Sequence, residues 1–578
     1  MTRSKKGRRD DTRRPFRVAA SAPAPPSPLA AGSDEGPSRS VPSPTGDPTA
    51  VWKRALSASA PAMLLAAVLL LPFAGKAFTI DDTVFMRQAE WVLHDPLHPS
   101  ALTMVWSEQP RPMRLSQVMP TGPLMAWLLV PAALAGGSEV VGHLVQLLLL
   151  ALAIFEAAAL ALRLGYDDSV ARLSSMFLAS TPAVLGMAGT VMPDVAAMTF
   201  GLVGIERLCA WREDRRMAAA VLAALGLGLA PLARSHLLLL PGLAICLLEF
   251  PWRRDAWRQW LPVVAAPVLT LALIGLSRDP LGGSADMVRS AGLFSSLANV
   301  RSNAIAFGVH WVLLLPLGLA WILARGRRFW LSPLPYLGIA AAVAMIVQAG
   351  STRWLWIAPA AGLGIAVVVD VVLECVRERD MRVLALALWL LIALPIVVYL
   401  HFPSKYLVAS APAAAILAAA AVLALPPPRA IAVGAALVTA GSLLGTLILQ
   451  ADANLAGLGR RAVAELIVPR VAAGERVWFN ANWGFQWYAE RAGATILTST
   501  PPFPTPGDLI VSSQVTIYAI PIQTFPKREL LATVSDKSPG GRIISSELGA
   551  GFYSNGWGYL PWAWGSTEVD RFELWRVR

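Results

Sequence analysis

The stretch Ala62-Met-Leu-Leu-Ala-Ala-Val-Leu-Leu-Leu71-Pro-Phe-Ala-Gly-Lys76-Ala-Phe-Thr-Ile-Asp81-Asp82-Thr-Val-Phe-Met-Arg-Gln-Ala89 contains both a solvent and a site. The apolar run that it completes, from residue 55 to 75, has the roughly 20-residue length that crosses a bilayer. It is too long and too far from the start for a cleaved signal peptide, and reads as a retained anchor. Two adjacent carboxylates follow it. They repel one another and gain nothing from a lipid boundary. One can cap a helix beginning near Thr83; the other then needs a different explanation.

Apolar runs of the same kind recur to about residue 450. Of the 578 residues 55% are hydrophobic and only 15% charged, where a soluble domain carries about a quarter. The formal charge of +12 does not point to nucleic acid. Much of it lies in Arg3, Lys5, Lys6, Arg8, Arg9, Arg13, Arg14 and Arg17, and most of the rest in short loops, the footprint of cytoplasmic retention. Cys209, Cys246 and Cys375 fall in or beside apolar runs, so no disulfide framework is expected.

Residues 1–54 read as a basic cytoplasmic N-terminus, its 18–50 part rich in Pro, Ser, Ala and Gly and expected to be disordered. With that end inside, about thirteen spans across 55–450 place every cluster of three or more arginines inside, including Arg207–Arg216, Arg253–Arg254–Arg258, Arg325–Arg328 and Arg377–Arg382. Residues 77–138 form a first outer loop, whose short apolar stretch 120–136 is taken as an interfacial or re-entrant helix. The tail, 455–578, has an amphipathic stretch at 459–472 and strand-like runs at 476–480, 508–512, 542–546 and 572–577 between Gly- and Pro-rich turns. The fold expected is an α-helical polytopic membrane protein with a small C-terminal α/β extracytoplasmic domain. Its location would be the inner (plasma) membrane.

Ionisable residues at the membrane that topology does not explain are functional candidates. On the outer side these are Asp81, Asp82, Arg87, Glu90, Arg111, Arg114, Asp194, Arg234, Arg353 and Lys405. Carboxylates and cations on one face suit transfer of a group from a phosphate-linked lipid, which needs a base for the acceptor hydroxyl and cations for the leaving phosphate. Each cation alone also reads as a snorkelling or capping residue. His94 and His98 have ligand spacing, but Pro96 and Pro99 interrupt any helix there, so a loop pair is favoured over zinc. No cofactor is assigned, and a divalent metal stays open. The tail tryptophans (Trp478, Trp483, Trp487, Trp557, Trp562, Trp564) read as core or interface rings ahead of sugar platforms, and Gly551–Trp564 as a lid or docking loop.

These residues also carry a likeness. The chain resembles the GT-C membrane glycosyltransferases, in the bacterial branch related to protein O-mannosyltransferases and aminoarabinose transferase. The matching features are Asp81–Asp82 followed by Ala89, the Met119-Pro120-Thr-Gly-Pro123-Leu124 motif opening a short helix, Asp194 at the start of span 4, and Ser404-Lys405-Tyr406 opening a late span. Many relatives have Asp-Glu and Pro-Pro-Leu where this chain has Asp81–Asp82 and Gly122–Pro123–Leu124, so the choice of base within the pair stays open. The resemblance implies inverting transfer from a polyprenyl-phosphate-linked sugar donor to a lipid, glycan or protein acceptor. By it Asp81, then Asp82, would be general base. Asp194 would shape the acceptor site, and Arg234, Lys405 with Tyr406, and Arg353 would meet donor phosphate. The competing class is a transporter or flippase, for which internal repeats are the usual mark; none is visible here.

Overall fold

The computed structural model describes residues 48–106, 109–119, 122–253, 256–282, 297–515 and 520–578. The N-terminal segment expected to be disordered (apart from its last residues, 48–50), Arg254, Pro120 and most of the 277–303 loop lie outside them. The protein is mostly helical. Among the described residues seven helices are long and apolar enough to cross a membrane: Ala50–Phe73, Glu139–Arg163, Ala256–Ser277, Thr352–Glu378, Met381–Val398, Ser404–Leu423 and Pro427–Ala472. Two bent pairs, Asp168–Ser180 with Pro182–Ala188 (56°) and Asn299–Leu314 with Pro316–Arg325 (74°), raise the count to nine. The bends fall at Pro182 and Pro316, where the ring removes a backbone donor. Shorter apolar helices are Met217–Leu232, Ser235–Leu247 and Leu334–Gln348.

Peripheral helices keep large apolar side chains outward: Leu64, Val68, Val264, Val268 and Leu271 are all exposed. Such a surface is stable only against hydrocarbon. Ser404–Leu423 is the opposite case, with 89% of its apolar window buried. Its Ala-rich run from Ala411 to Ala421 lets neighbouring backbones approach closely, as small residues do within membranes. Gly308 and Gly364 repeat the device, since a Cβ on Gly364 would stand 1.9 Å from the Gly308 carbonyl oxygen. The helix that begins at Ser404 therefore runs near the axis of the bundle.

Between the first two long helices lie Asp82–Val92, a hairpin of Thr103–Trp106 with Gln109–Arg114, and the short helices Leu124–Leu128 and Val130–Leu134. The last long helix does not stop near residue 450. It continues to Ala462 and through a π-helical turn (Val463–Ile467) into Val468–Ala472, absorbing the amphipathic stretch.

The tail closes as a mixed five-stranded sheet in the order Thr495–Ile496, Val477–Phe479, Leu509–Ser513, Arg571–Val577, Arg528–Ser535. Its first three strands are parallel and the others antiparallel. Three expected strands take their places, but 542–546 does not act as one. Gly540–Arg542 pairs with Ala563–Gly565, and Ile544–Ser545 with Ala550–Gly551.

Candidate functional site

Four helix ends converge. Asp81 precedes the Asp82–Val92 helix, Asp194 opens Asp194–Asp214, Arg234 follows the Ala230–Leu232 turn, and Lys405 and Tyr406 lie in the first turns of Ser404–Leu423. Lys405 Nζ donates to Asp81 Oδ2 at 2.9 Å, with the two side chains 9% and 16% exposed. Arg234 binds Asp194 through both oxygens, Nε to Oδ1 at 2.8 Å and Nη2 to Oδ2 at 2.6 Å, the strong two-pronged form of this contact. The Arg234 guanidinium lies 5.3 Å above the Tyr406 ring, which His236 and Tyr399 meet edge-on. The two ion pairs are within electrostatic reach of one another. Five of the expected site residues thus stand together.

Asp82 belongs to a different environment. Its carboxylate accepts from the Thr79 N–H at 3.0 Å and from the Val191 N–H at 2.8 Å, and the residue is fully buried. Burial, opposed by the charge of Lys76 and by these two donors, pushes its carboxyl up to about 7. Neither acid acts as the simple helix cap: Asp81 holds the N-cap position without a side-chain cap bond, and Asp82 is already helical. Between Thr79 and Asp81, Ile80 sits at φ +40, a left-handed conformation that a β-branched residue adopts only under constraint. That turn separates the directions of the two carboxylates.

Arg353 stands apart from this group. It is exposed, with its guanidinium 4.9 Å above the Trp354 ring. Other sequence candidates are engaged elsewhere. Arg87 pairs with Glu490, and Glu90 with Arg491, joining the first loop to the Trp483–Arg491 helix. Arg114 binds Asp279 through Nε and Nη2, both at 2.7 Å, and this contact holds the Asp279 carboxyl down at about 2. Arg111 is exposed. The helix carrying His94 would have to extend past Val92, where it ends, and His98 instead turns its Nδ1 to Asp95 at 3.0 Å. The pair is not on one helical face. Among the described residues no group of three or more His, Cys, Asp or Glu side chains is placed to hold a metal ion.

Several participants gave no sequence signal. Lys76 forms a buried ion pair with Asp452, a residue inside the last long helix. Asn303 and Asn555 form an amide pair below the loop that leads to Lys405. The only hint was the aromatic run from Gly551, which does dock on the helical part: Phe552 is fully buried and its carbonyl accepts from the Ser404 N–H at 3.0 Å.

The sequence matches no protein-family model and no curated protein. In three dimensions the chain is similar, at low identity, to membrane glycosyltransferases of known structure. One is ArnT from Cupriavidus metallidurans bound to undecaprenyl phosphate (TM-score 0.47, 12% identity, 82% of this chain and 96% of that one). Another is the archaeal oligosaccharyltransferase AglB from Archaeoglobus fulgidus, in complex with an inhibitory peptide and a dolichol-phosphate (TM-score 0.44, 12% identity, 77% and 64%). A third is the arabinofuranosyltransferase AftD from Mycobacteria (TM-score 0.35, 15% identity, 91% and 41%).

Proposed function

We propose that this protein is a membrane glycosyltransferase that moves a sugar from a polyprenyl-phosphate donor to an acceptor hydroxyl on lipid, glycan or protein. The observation that carries this reading is the Asp81–Lys405 pair, set beside Asp194, Arg234 and Tyr406 at four helix ends. It brings a partly exposed carboxylate together with two cations at the edge of an apolar bundle, which is what a lipid phosphate and a hydroxyl acceptor require.

Asp81 is the general base in this reading. It takes the acceptor proton while the acceptor oxygen bonds to the sugar C1 from the face opposite the phosphate. The C1–O bond breaks with its electron pair on the departing polyprenyl phosphate, and configuration inverts. Both cations already have carboxylate partners, so phosphate binding exchanges one anion for another. Phosphate arriving at Lys405 releases Asp81 for the proton. Arg234 stiffens Asp194 beside the acceptor and adds positive charge to the phosphate side. Asp82, with both oxygens committed to backbone donors, holds the turn instead of performing chemistry. Arg353 is left outside the phosphate set, since it is exposed and stacked on Trp354.

The same reading takes about thirteen helical segments as crossings, adding the Asp194–Asp214 helix to the long, bent and short apolar helices. The N-terminus is then cytoplasmic, and the site and the C-terminal sheet lie on the extracytoplasmic side of the plasma membrane.

Asp81→Asn and Asp82→Asn, made separately and assayed in membranes for transfer from polyprenyl-phosphate sugars, test the assignment. Asp81→Asn is expected to lose roughly a hundredfold or more of turnover, the usual worth of a positioned base. Full activity in Asp81→Asn would sink the mechanism, whatever Asp82→Asn does. The second reading, a transporter or flippase, is favoured by the two bent helix pairs, because broken helices line transport sites. It expects vesicles containing the protein to move a lipid-linked substrate across the bilayer without covalent change.

A further inference from the structure

We infer that the loop from Gly549 to Leu560 is the positioning device for Lys405, with Asn555 as its central contact; the inference rests on Lys405 as the donor-phosphate cation. Residues 399–403, which lead into Lys405, form neither helix nor strand. The loop meets one of their backbone groups directly and a second through Asn303. The Phe402 N–H donates to Asn555 Oδ1 at 2.8 Å. Asn555 Nδ2 donates to Ser302 Oγ at 2.9 Å and to Asn303 Oδ1 at 3.0 Å. Asn303 Nδ2 in turn donates to the carbonyls of Val397 at 2.9 Å and Tyr399 at 2.7 Å. His401 Nδ1 and Ser554 Oγ are 2.8 Å apart, and the Ser404 N–H, an orphan donor at a helix start, is met by the Phe552 carbonyl. The strand of chain before Lys405 is thus gripped on both sides.

The grip itself is stiff. A Cβ on Gly551 would come within 2.3 Å of the Gly558 carbonyl oxygen, and Gly558 has φ +157. Gly549, at φ +73, lies against Trp354, where a Cβ would stand 1.9 Å from the ring. Tyr559 packs edge-on to the same Trp354 and its hydroxyl meets Ser302 Oγ at 3.1 Å. Phe552 anchors the near end, its ring filling the space a side chain on Gly186 would need. A flexible lysine at the end of an irregular segment is a poor phosphate ligand unless its backbone is fixed. Small displacements of a charged group cost binding steeply. The loop supplies that fixation, and gives the C-terminal part of the chain a role in the reaction at a distance from the reacting atoms.

The test uses the full chain in lipid nanodiscs with undecaprenyl phosphate as the probe, following its Kd and the melting temperature for wild type, Asn555→Ala, Lys405→Met and the double variant. Asn555→Ala is expected to raise Kd about tenfold, and the double variant to bind no more weakly than Lys405→Met alone, since coupled residues do not add. Additive losses, or an unchanged Kd in Asn555→Ala, would overturn the inference. Ser554→Ala, which removes the His401 contact and the 3.1 Å bond from the Gly556 N–H to the same hydroxyl, serves if Asn555→Ala fails to fold. It is expected to weaken binding about threefold with Lys405 present and not at all in Lys405→Met; equal effects in both backgrounds, or none in either, would overturn it. A wild-type chain that binds no polyprenyl phosphate, or a Lys405→Met variant that binds as wild type, defeats instead the functional reading on which the inference stands.

Discussion

Asp81 and Asp82 are identical in chemistry and adjacent in sequence, yet one faces Lys405 and the other is sealed between two backbone donors. The partners that separate them come from 324 and 109 residues away, so no local pattern contains the distinction. What the sequence did contain was the pair's position, since helix capping explains at most one of two acids after an apolar run. Asp82 also carries a pH signature. Its carboxyl, raised from 3.8 to about 7 mainly by burial, keeps its proton in the folded protein over a range where the unfolded chain has lost it. The resulting stabilisation is complete below 3.8 and is lost as pH rises to about 7. Lowering the pH from about 8 to about 5 is therefore expected to raise the wild-type melting temperature relative to that of Asp82→Asn, which has no such proton to bind. Parallel pH profiles for the two proteins would contradict this account of Asp82.

At the scale of elements, the site depends on how the Trp483–Arg491 helix seats on the first loop. Phe78 N–H donates to Tyr488 Oη at 2.8 Å, Gln486 Nε2 to the Val105 carbonyl at 3.1 Å, and the Arg87–Glu490 and Glu90–Arg491 pairs lie alongside. Contact is closest at Gly484, where a Cβ would stand 2.0 Å from the Phe78 carbonyl oxygen. Gly484→Ala is expected to push the helix away from the turn that holds Asp81 and to cost about 1–3 kcal/mol, the usual range for overpacking. Chemical or thermal unfolding measures it, and an unchanged midpoint would show that the interface gives way freely. Strands 477–479, 509–513 and 571–577 were legible because apolar residues and turn signals bound them. Arg528–Ser535 was not. It is an edge strand with one buried position, so burial wrote almost no pattern into it. The extension of the last helix past residue 450 was missed for the opposite reason: its apolar signal fades where it leaves the lipid, but its backbone pairing continues.

For the whole molecule, the proposed odd number of crossings has a direct consequence. Ser169, between Arg163 and Arg172, and Ser538, in the C-terminal part, are both exposed, while the native cysteines are buried. A membrane-impermeant maleimide is expected to label Ser538→Cys in intact cells and Ser169→Cys only after permeabilisation. Labelling of both, or the reverse, would break the topology. The apolar runs, the basic loops and the place of the acid pair after the first span were set by the sequence alone. In hydrocarbon each helix must satisfy its own backbone, so the signal for a span is contained within the span. The mates of Asp81, Asp194 and Asn555 were decided only by tertiary structure. Ion pairs and amide clamps depend on which helix ends meet, and that follows from close packing around the Ser404–Leu423 helix, where small residues leave the order of neighbours to the shape of the whole bundle.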